Sequence, residues 1–546
     1  MKLSSVISAV TLLSVIALSS TAFAASSTRL PSNKVAANCA VPNVASNGHT
    51  FYIDPVSGND TGDGSQAHPW KTLQTVLNTK VSTQRYVAPY WNAAGAVVNA
   101  GKTTAFNASA PIHAGDTILL MNGAYGDVWV SAVNSDFITV KAAPGQLPVL
   151  TSLSVISSGK WVFSGLKIQH INNRSLSMSG KDPSNGNLVV ITSNGAAGEK
   201  GGVVGPSTDI IFSGNVLSSA DDTSSWSLND WKQKSSNGIR INGAPLSTGL
   251  GASCVTITNN DISDVNFGIQ DAGSNTLVDN NRINHFNNDA IRIEADSISV
   301  TNNVLTNAIS YDQSPYAFVN MFASNPDGTT AYERKNLIVD SNTMIAQTDP
   351  SLKYASTIVA GVNSFTNDWS NLTFTNNIII VPAKHAVTLF SVHGGTVSNN
   401  DVLDDGHPGG LQGLEFGSTG HDRIKGRPSD GVLTMSNNLA RDIRTMAPSL
   451  AGHTMNVTNN VIQDRWTIDD SGLYPNIVAQ RINNPGVYPG NNTIDPKLNS
   501  YFTKFDTVNR IYDLHMKQPV GSATATSLGV QGAVLNVVPT HSTYHF

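Results

Sequence analysis

One short phrase, returning along the middle of the chain, restricts the architecture more than any other feature. It reads Val255-Thr-Ile-Thr-Asn-Asn260, then Thr276-Leu-Val-Asp-Asn-Asn281, then Ile298-Ser-Val-Thr-Asn-Asn303. It continues as Leu337-Ile-Val-Asp-Ser-Asn342, Leu372-Thr-Phe-Thr-Asn-Asn377, Thr396-Val-Ser-Asn-Asn400, Leu433-Thr-Met-Ser-Asn-Asn438 and Met455-Asn-Val-Thr-Asn-Asn460, with an earlier variant in Ile210-Ile-Phe-Ser-Gly-Asn215. From Asn260 onward the phrases lie 21 to 23 residues apart, or 35 to 39 where an insertion enlarges the unit. A period in this range marks a solenoid, because so short a unit cannot bury its own apolar face and must stack on its neighbours.

Within each phrase, apolar and polar residues alternate and β-branched residues are frequent, which predicts a strand with one buried face. The Asn pair then supplies a turn, since Asn tolerates left-handed backbone angles, and a second short strand is expected after it. Stacking at about 4.8 Å per coil would pile identical Asn residues into a ladder that shares amide hydrogen bonds.

The repeat overrides the three or four domains that 546 residues would otherwise suggest. Charged residues are 13% of the chain and the formal net charge is -5, so nothing electrostatic draws it to nucleic acid or an anionic membrane. Residues 1–24 carry Lys2, an apolar run from Val6 to Leu18, and Ala22-Phe-Ala24, the pattern of a cleaved export signal. Secretion, or a periplasmic location, is therefore expected. No later run is long and apolar enough to span a bilayer. Cys39 and Cys254 are the two cysteines, too sparse a signal to establish a pairing.

With these phrases in view, the sequence resembles the right-handed parallel β-helix proteins of the pectate-lyase-like superfamily. Phe51-Tyr-Ile-Asp-Pro-Val-Ser-Gly-Asn-Asp60 with Pro69-Trp-Lys-Thr-Leu-Gln74 is similar to the family's opening cap. Ala114-Gly-Asp-Thr-Ile-Leu-Leu120, Ile138-Thr-Val-Lys-Ala-Ala-Pro-Gly145 and Trp161-Val-Phe-Ser-Gly-Leu-Lys-Ile168 resemble its first coils, and Asp513-Leu-His-Met-Lys517 its closing strand. The resemblance implies an all-β, single-stranded right-handed parallel β-helix of about 22-residue coils with an N-terminal cap and loop insertions. Its expected divisions are a signal peptide (1–24), an N-terminal segment and cap (25–110), and the β-helix with its closing segment (111–546). It also implies a polysaccharide-degrading enzyme, first of all a lyase.

Solenoids carry function on the side where insertions gather. Interruptions fall at 171–206, 217–237, 307–335, 345–356 and 404–431; the second holds Trp226, Trp231, Lys232 and Lys234. Its two tryptophans either pin the loop to the coil or stack on sugar rings. The following coils align on what reads as their second strand: Gly238-Ile-Arg240-Ile-Asn242, Gly268-Ile-Gln270-Asp271-Ala272 and Ala290-Ile-Arg292-Ile-Glu294. Alternation turns Ile239, Ile269 and Ile291 inward and sets Arg240, Gln270 and Arg292 in one outward row. Asp271 falls where its neighbours carry Ile241 and Ile293, so it faces inward or the coil bulges; either raises its pKa or demands a partner.

Guanidinium forks grip carboxylates bidentately, so the row suits an anionic polysaccharide. For β-elimination the candidate catalytic residues are Lys232, Lys234, Arg240, Asp271 and Arg292, with Trp226, Trp231, Gln270 and Glu294 as substrate contacts. Asp271 and Asp289 are candidate Ca2+ ligands. A structural Asp–Arg network is the alternative reading of the same residues. A glycoside hydrolase would instead pair Asp271 with Asp289 or Glu294; His407, Glu415 and His421 are weaker alternatives. A uronate C5-epimerase would use nearly the lyase set, but the Asp-Pro-His-Asp motif of alginate epimerases is absent. A non-enzymatic carbohydrate-binding surface protein is the remaining reading.

Overall fold

The computed structural model describes residues 39–42, 48–87, 90–91, 97–98, 101–170, 186–193, 205–243, 251–310, 317–322, 334–364, 369–382, 386–390, 392–406, 414–417, 432–440, 443–446, 454–462, 479–481, 492–495 and 502–516. These form a right-handed parallel β-helix. Each coil contributes three strands, not the two expected from the phrase and its turn. The repeated phrases build the first sheet, as in Ser253–Thr258, Thr276–Asp279 and Ile298–Thr301. The residues just after each Asn pair build the second, as in Asp261–Val265, Arg282–Phe286 and Val304–Ala308. The strands aligned from sequence as second strands, Asn237–Ile241, Ile269–Asp271 and Ile291–Ile293, belong to a third sheet. The phrase escaped this count because the third strand follows a loop of variable length and so has no fixed spacing from the Asn pair.

The Asn turn behaves as its chemistry requires. The first residue of each pair, from Asn259 to Asn459, sits in the left-handed region with φ of 55–59°, with Ser341 taking the place of Asn in one coil. The second residue points inward. Asn281 donates from its backbone N–H (2.9 Å) and its Nδ2 (3.0 Å) to Oδ1 of Asn303, and from Nδ2 to the Ile257 carbonyl (2.9 Å). The same bonds link Asn215, Asn260, Asn281, Asn303, Asn342, Asn377, Asn400, Asn438, Asn460 and Asn492 into one buried ladder. Inside it, aliphatic columns such as Ile257, Val278 and Val300 are fully buried.

The helix Leu73–Thr79 buries Leu73, Val76 and Leu77 against the first coils. Cys39 and Cys254 form a disulfide that ties the N-terminal segment to the first sheet. Phe502–Asp506 and Ile511–Met516 form an antiparallel hairpin. That hairpin packs on the outside of the second sheet, against Ile378, Ile380 and Leu439, rather than closing the stack as the sequence suggested.

Candidate functional site

The third sheet positions the candidate residues. Its register sets Arg240 beside Gln270 and Gln270 beside Arg292, and the row continues through Asn320, Asn363 and Thr388. Arg240 and Arg292 are thus two coils apart, about 10 Å. Connections of very different length lead into this sheet, from 219–236 before Asn237–Ile241 to 266–268 before Ile269–Asp271. Gln270, Asn320, Asn363 and Thr388 are buried, whereas the side chains of Arg240 and Arg292 keep 26% and 20% of their surface exposed. Solvent therefore reaches the row chiefly at its two cations.

These two arginines are not equivalent. Arg240 lays both Nη atoms on both oxygens of Glu294, at 3.2 and 3.0 Å, and gives Nε to Asn242 at 2.9 Å. Its fork is filled from within the protein. Arg292 gives only Nε, to Asp289 Oδ2 at 2.7 Å. Its guanidinium lies between the rings of Phe267 and Phe322, 4.5 and 4.9 Å from their centroids. Among the described residues nothing hydrogen-bonds its Nη atoms, which remain available to an incoming anion.

Asp289 is fully enclosed and also accepts from Asn320 Nδ2 (3.0 Å) and the Ala317 N–H (3.3 Å). Burial pushes its carboxyl above the ordinary range against the pull of Arg292. Asp271 faces the interior, as its place in the aliphatic column indicated. One oxygen accepts from the Gly273 N–H (2.9 Å), the other from the Thr276 hydroxyl. Burial raises its pKa to about 7. Fully buried, Asp271 cannot touch a substrate outside the coil; it is a corner residue of the core. Asp271 and Asp289 serve separate internal networks and do not fit a shared Ca2+ site. Among the described residues no group of three or more His, Cys, Asp or Glu converges to hold a metal.

The second loop is anchored to the coil. Helix Leu228–Lys234 is capped reciprocally by Ser227 and Asp230. Asn287 holds its C-terminal end through the Trp231 carbonyl (3.0 Å) and the Ser235 hydroxyl (3.1 Å). Trp226 and Trp231 are buried edge to face, 5.1 Å apart, against Ile309 and Tyr354. They pin the loop, and the sugar-stacking alternative lacks an exposed ring. Lys234 pairs with Asp230 at 2.7 Å, which holds that carboxyl well below its usual range, while Lys232 is exposed. Glu294 belongs to the site through Arg240, and Gln270 lies buried beneath the pair.

His407 and His421 lie outside the described residues, as does the side chain of Glu415. The sequence reading missed Asn320, which extending the strand alignment by one coil would have found. It also missed Phe267 and Phe322, which flank the strands at different ends and leave no periodic trace.

No family model matches the sequence, and no curated protein does. In fold the chain is similar to the A-module of the mannuronan C-5 epimerase AlgE6 of Azotobacter vinelandii, at 11% identity and TM-score 0.42 over 70% of this chain and 89% of that one. It is similar to a mannuronic-acid-specific family 6 polysaccharide lyase from human gut microbiota, at 10% identity and TM-score 0.39 over 78% and 83%. It is also similar to the GH136 lacto-N-biosidase of Eubacterium ramulus, at 11% identity and TM-score 0.37 over 82% and 68%. What these likenesses share with the chain is the parallel β-helix.

Proposed function

We propose that the protein is an exported, polysaccharide-active β-helix that binds a carboxylate-bearing glycan across the third sheet and cleaves it by β-elimination. The observation that carries this reading is Arg292: a guanidinium oriented by a buried carboxylate, flanked by two aromatic rings, with Nη atoms that nothing among the described residues hydrogen-bonds. Pairing Arg292 with a uronate carboxylate makes the proton on the neighbouring carbon removable. Lys232, exposed on the helix Leu228–Lys234, is the general base that takes that proton, Lys234 being already paired with Asp230. The bond from the next carbon to the glycosidic oxygen then breaks, giving a double bond on one side and, once that oxygen is protonated, a new hydroxyl end on the other.

Hydrolysis by two carboxylates is the weaker alternative. Either pairing needs Asp271, which is fully buried and out of reach of a glycosidic bond outside the coil. Its offered partners, Asp289 and Glu294, are each engaged by an arginine. Export rests on the leader, and a Cys39–Cys254 disulfide is what an oxidising compartment permits.

The test is incubation with a panel of anionic bacterial and plant polysaccharides, with and without chelator. Elimination gives an ultraviolet-absorbing unsaturated uronate; Arg292→Ala should lower its rate by about 100-fold or more, Arg240→Gln by less, and chelation should leave it unchanged. New reducing ends without that chromophore would replace elimination by hydrolysis. Neither binding nor product with any glycan would end the proposal.

A further inference from the structure

Away from the third sheet, Asp401 presents a different anomaly. It is the first residue after the Asn400 turn, on the outer face of the second sheet, between Ile378 and Leu439 in register. Every position of that kind on the solvent side of a sheet can carry a carboxylate at little cost, but this one is 1% exposed. The C-terminal hairpin covers it, and Phe502, Tyr512 and Leu514 pack there with Ile378, Leu403 and Leu439. Among the described residues neither carboxyl oxygen has a hydrogen-bond partner. A carboxylate enclosed this way is strongly disfavoured as an anion, whereas a neutral acid is tolerated.

The surrounding charges do not relieve it. On its own strand and just beyond stand Asp404 and Asp405. From the hairpin come Arg510 and Tyr512, with Lys504 and Asp506 nearer its exposed end. Arg510 is held by Asp405, through the carbonyl at 2.6 Å and the carboxylate at 3.4 Å, and lies 3.5 Å from the Tyr512 hydroxyl. The side chains of Asp513 and His515 lie outside the described residues.

We propose that the hairpin is a pH-released clamp: Asp401 lets it sit on the second sheet as a neutral acid and loosens it on ionisation, baring the apolar strip of Ile378, Ile380, Leu403 and Leu439. Burial alone pushes the Asp401 carboxyl up to about 7. With the hairpin lifted, the carboxyl returns to its ordinary value of about 4. Docking is then fully favoured below about pH 4 and is lost progressively up to about pH 7, with the opening constant rising about tenfold per unit and levelling above.

Backbone hydrogen exchange in 502–516, measured on the full chain from pH 5 to 8, tests this. At each pH the wild-type rate is divided by that of Asp401→Asn, so the intrinsic chemistry of exchange cancels. The ratio should climb about 50-fold between pH 5 and 7 and then flatten. A ratio constant across the range would overturn the proposal. Should the Asn variant fail to hold the hairpin, Asp401→Leu, which copies its row neighbour Leu439, supplies the reference. The same flat ratio against Leu would be equally fatal.

Discussion

At the scale of single residues, the amide ladder shows how far local chemistry determines position. Asn at the first place of each pair accepts a backbone angle that most residues resist, and at the second place its side chain both donates and accepts within one plane of the stack. Asn303→Ala would leave the Asn281 N–H and Nδ2 and the Val278 carbonyl without their partner in a dry interior. Each such group costs about 1–3 kcal/mol, so a loss on the order of 3–5 kcal/mol is expected from the urea midpoint at unchanged slope. A change below about 1 kcal/mol would mean that the ladder is decoration. Asp271 was legible for the same reason, as a polar residue in an aliphatic column. The difference between Arg240 and Arg292 was not legible, because both occupy the same row and only the placement of Glu294 and Asp289 separates a filled fork from an open one.

At the scale of elements, helix Leu228–Lys234 is held by packing more than by its own propensity. Seven residues are too few for a stable helix in water, and the two buried tryptophans with the Ser227–Asp230 cap supply the difference. Trp231→Ala should cost about 3–5 kcal/mol locally and expose 219–236 to protease. Ser227→Ala should cost about 1 kcal/mol. If glycan binding instead quenched the fluorescence of these buried indoles directly, with the loop undisturbed, the anchoring role assigned to them would be wrong. The sequence showed that this loop was unusual but left open which way its aromatics faced. Facing is decided by Ile309 and Tyr354, one from the next coils and the other from a later insertion.

At the scale of the molecule, the disulfide is the longest-range covalent constraint, joining residues 215 positions apart. Reduction, or Cys39→Ser with Cys254→Ser, should lower stability by about 2–4 kcal/mol, read as a fall in the denaturant midpoint; an unchanged midpoint would show that the N-terminal segment is an appendage. Low overall charge also acquires a cause here, since columns of aliphatic side chains and self-satisfying amides need few ions. The sequence by itself determined the stacking, the period, the Asn turn and the outward row, because each is a local preference repeated until it becomes a pattern. Only the tertiary structure decided that each coil has three strands, that Cys39 meets Cys254, that Phe267 and Phe322 close on Arg292, and that a hairpin buries Asp401. Those contacts join residues brought together by coils and insertions of unequal length, and no spacing along the chain records them.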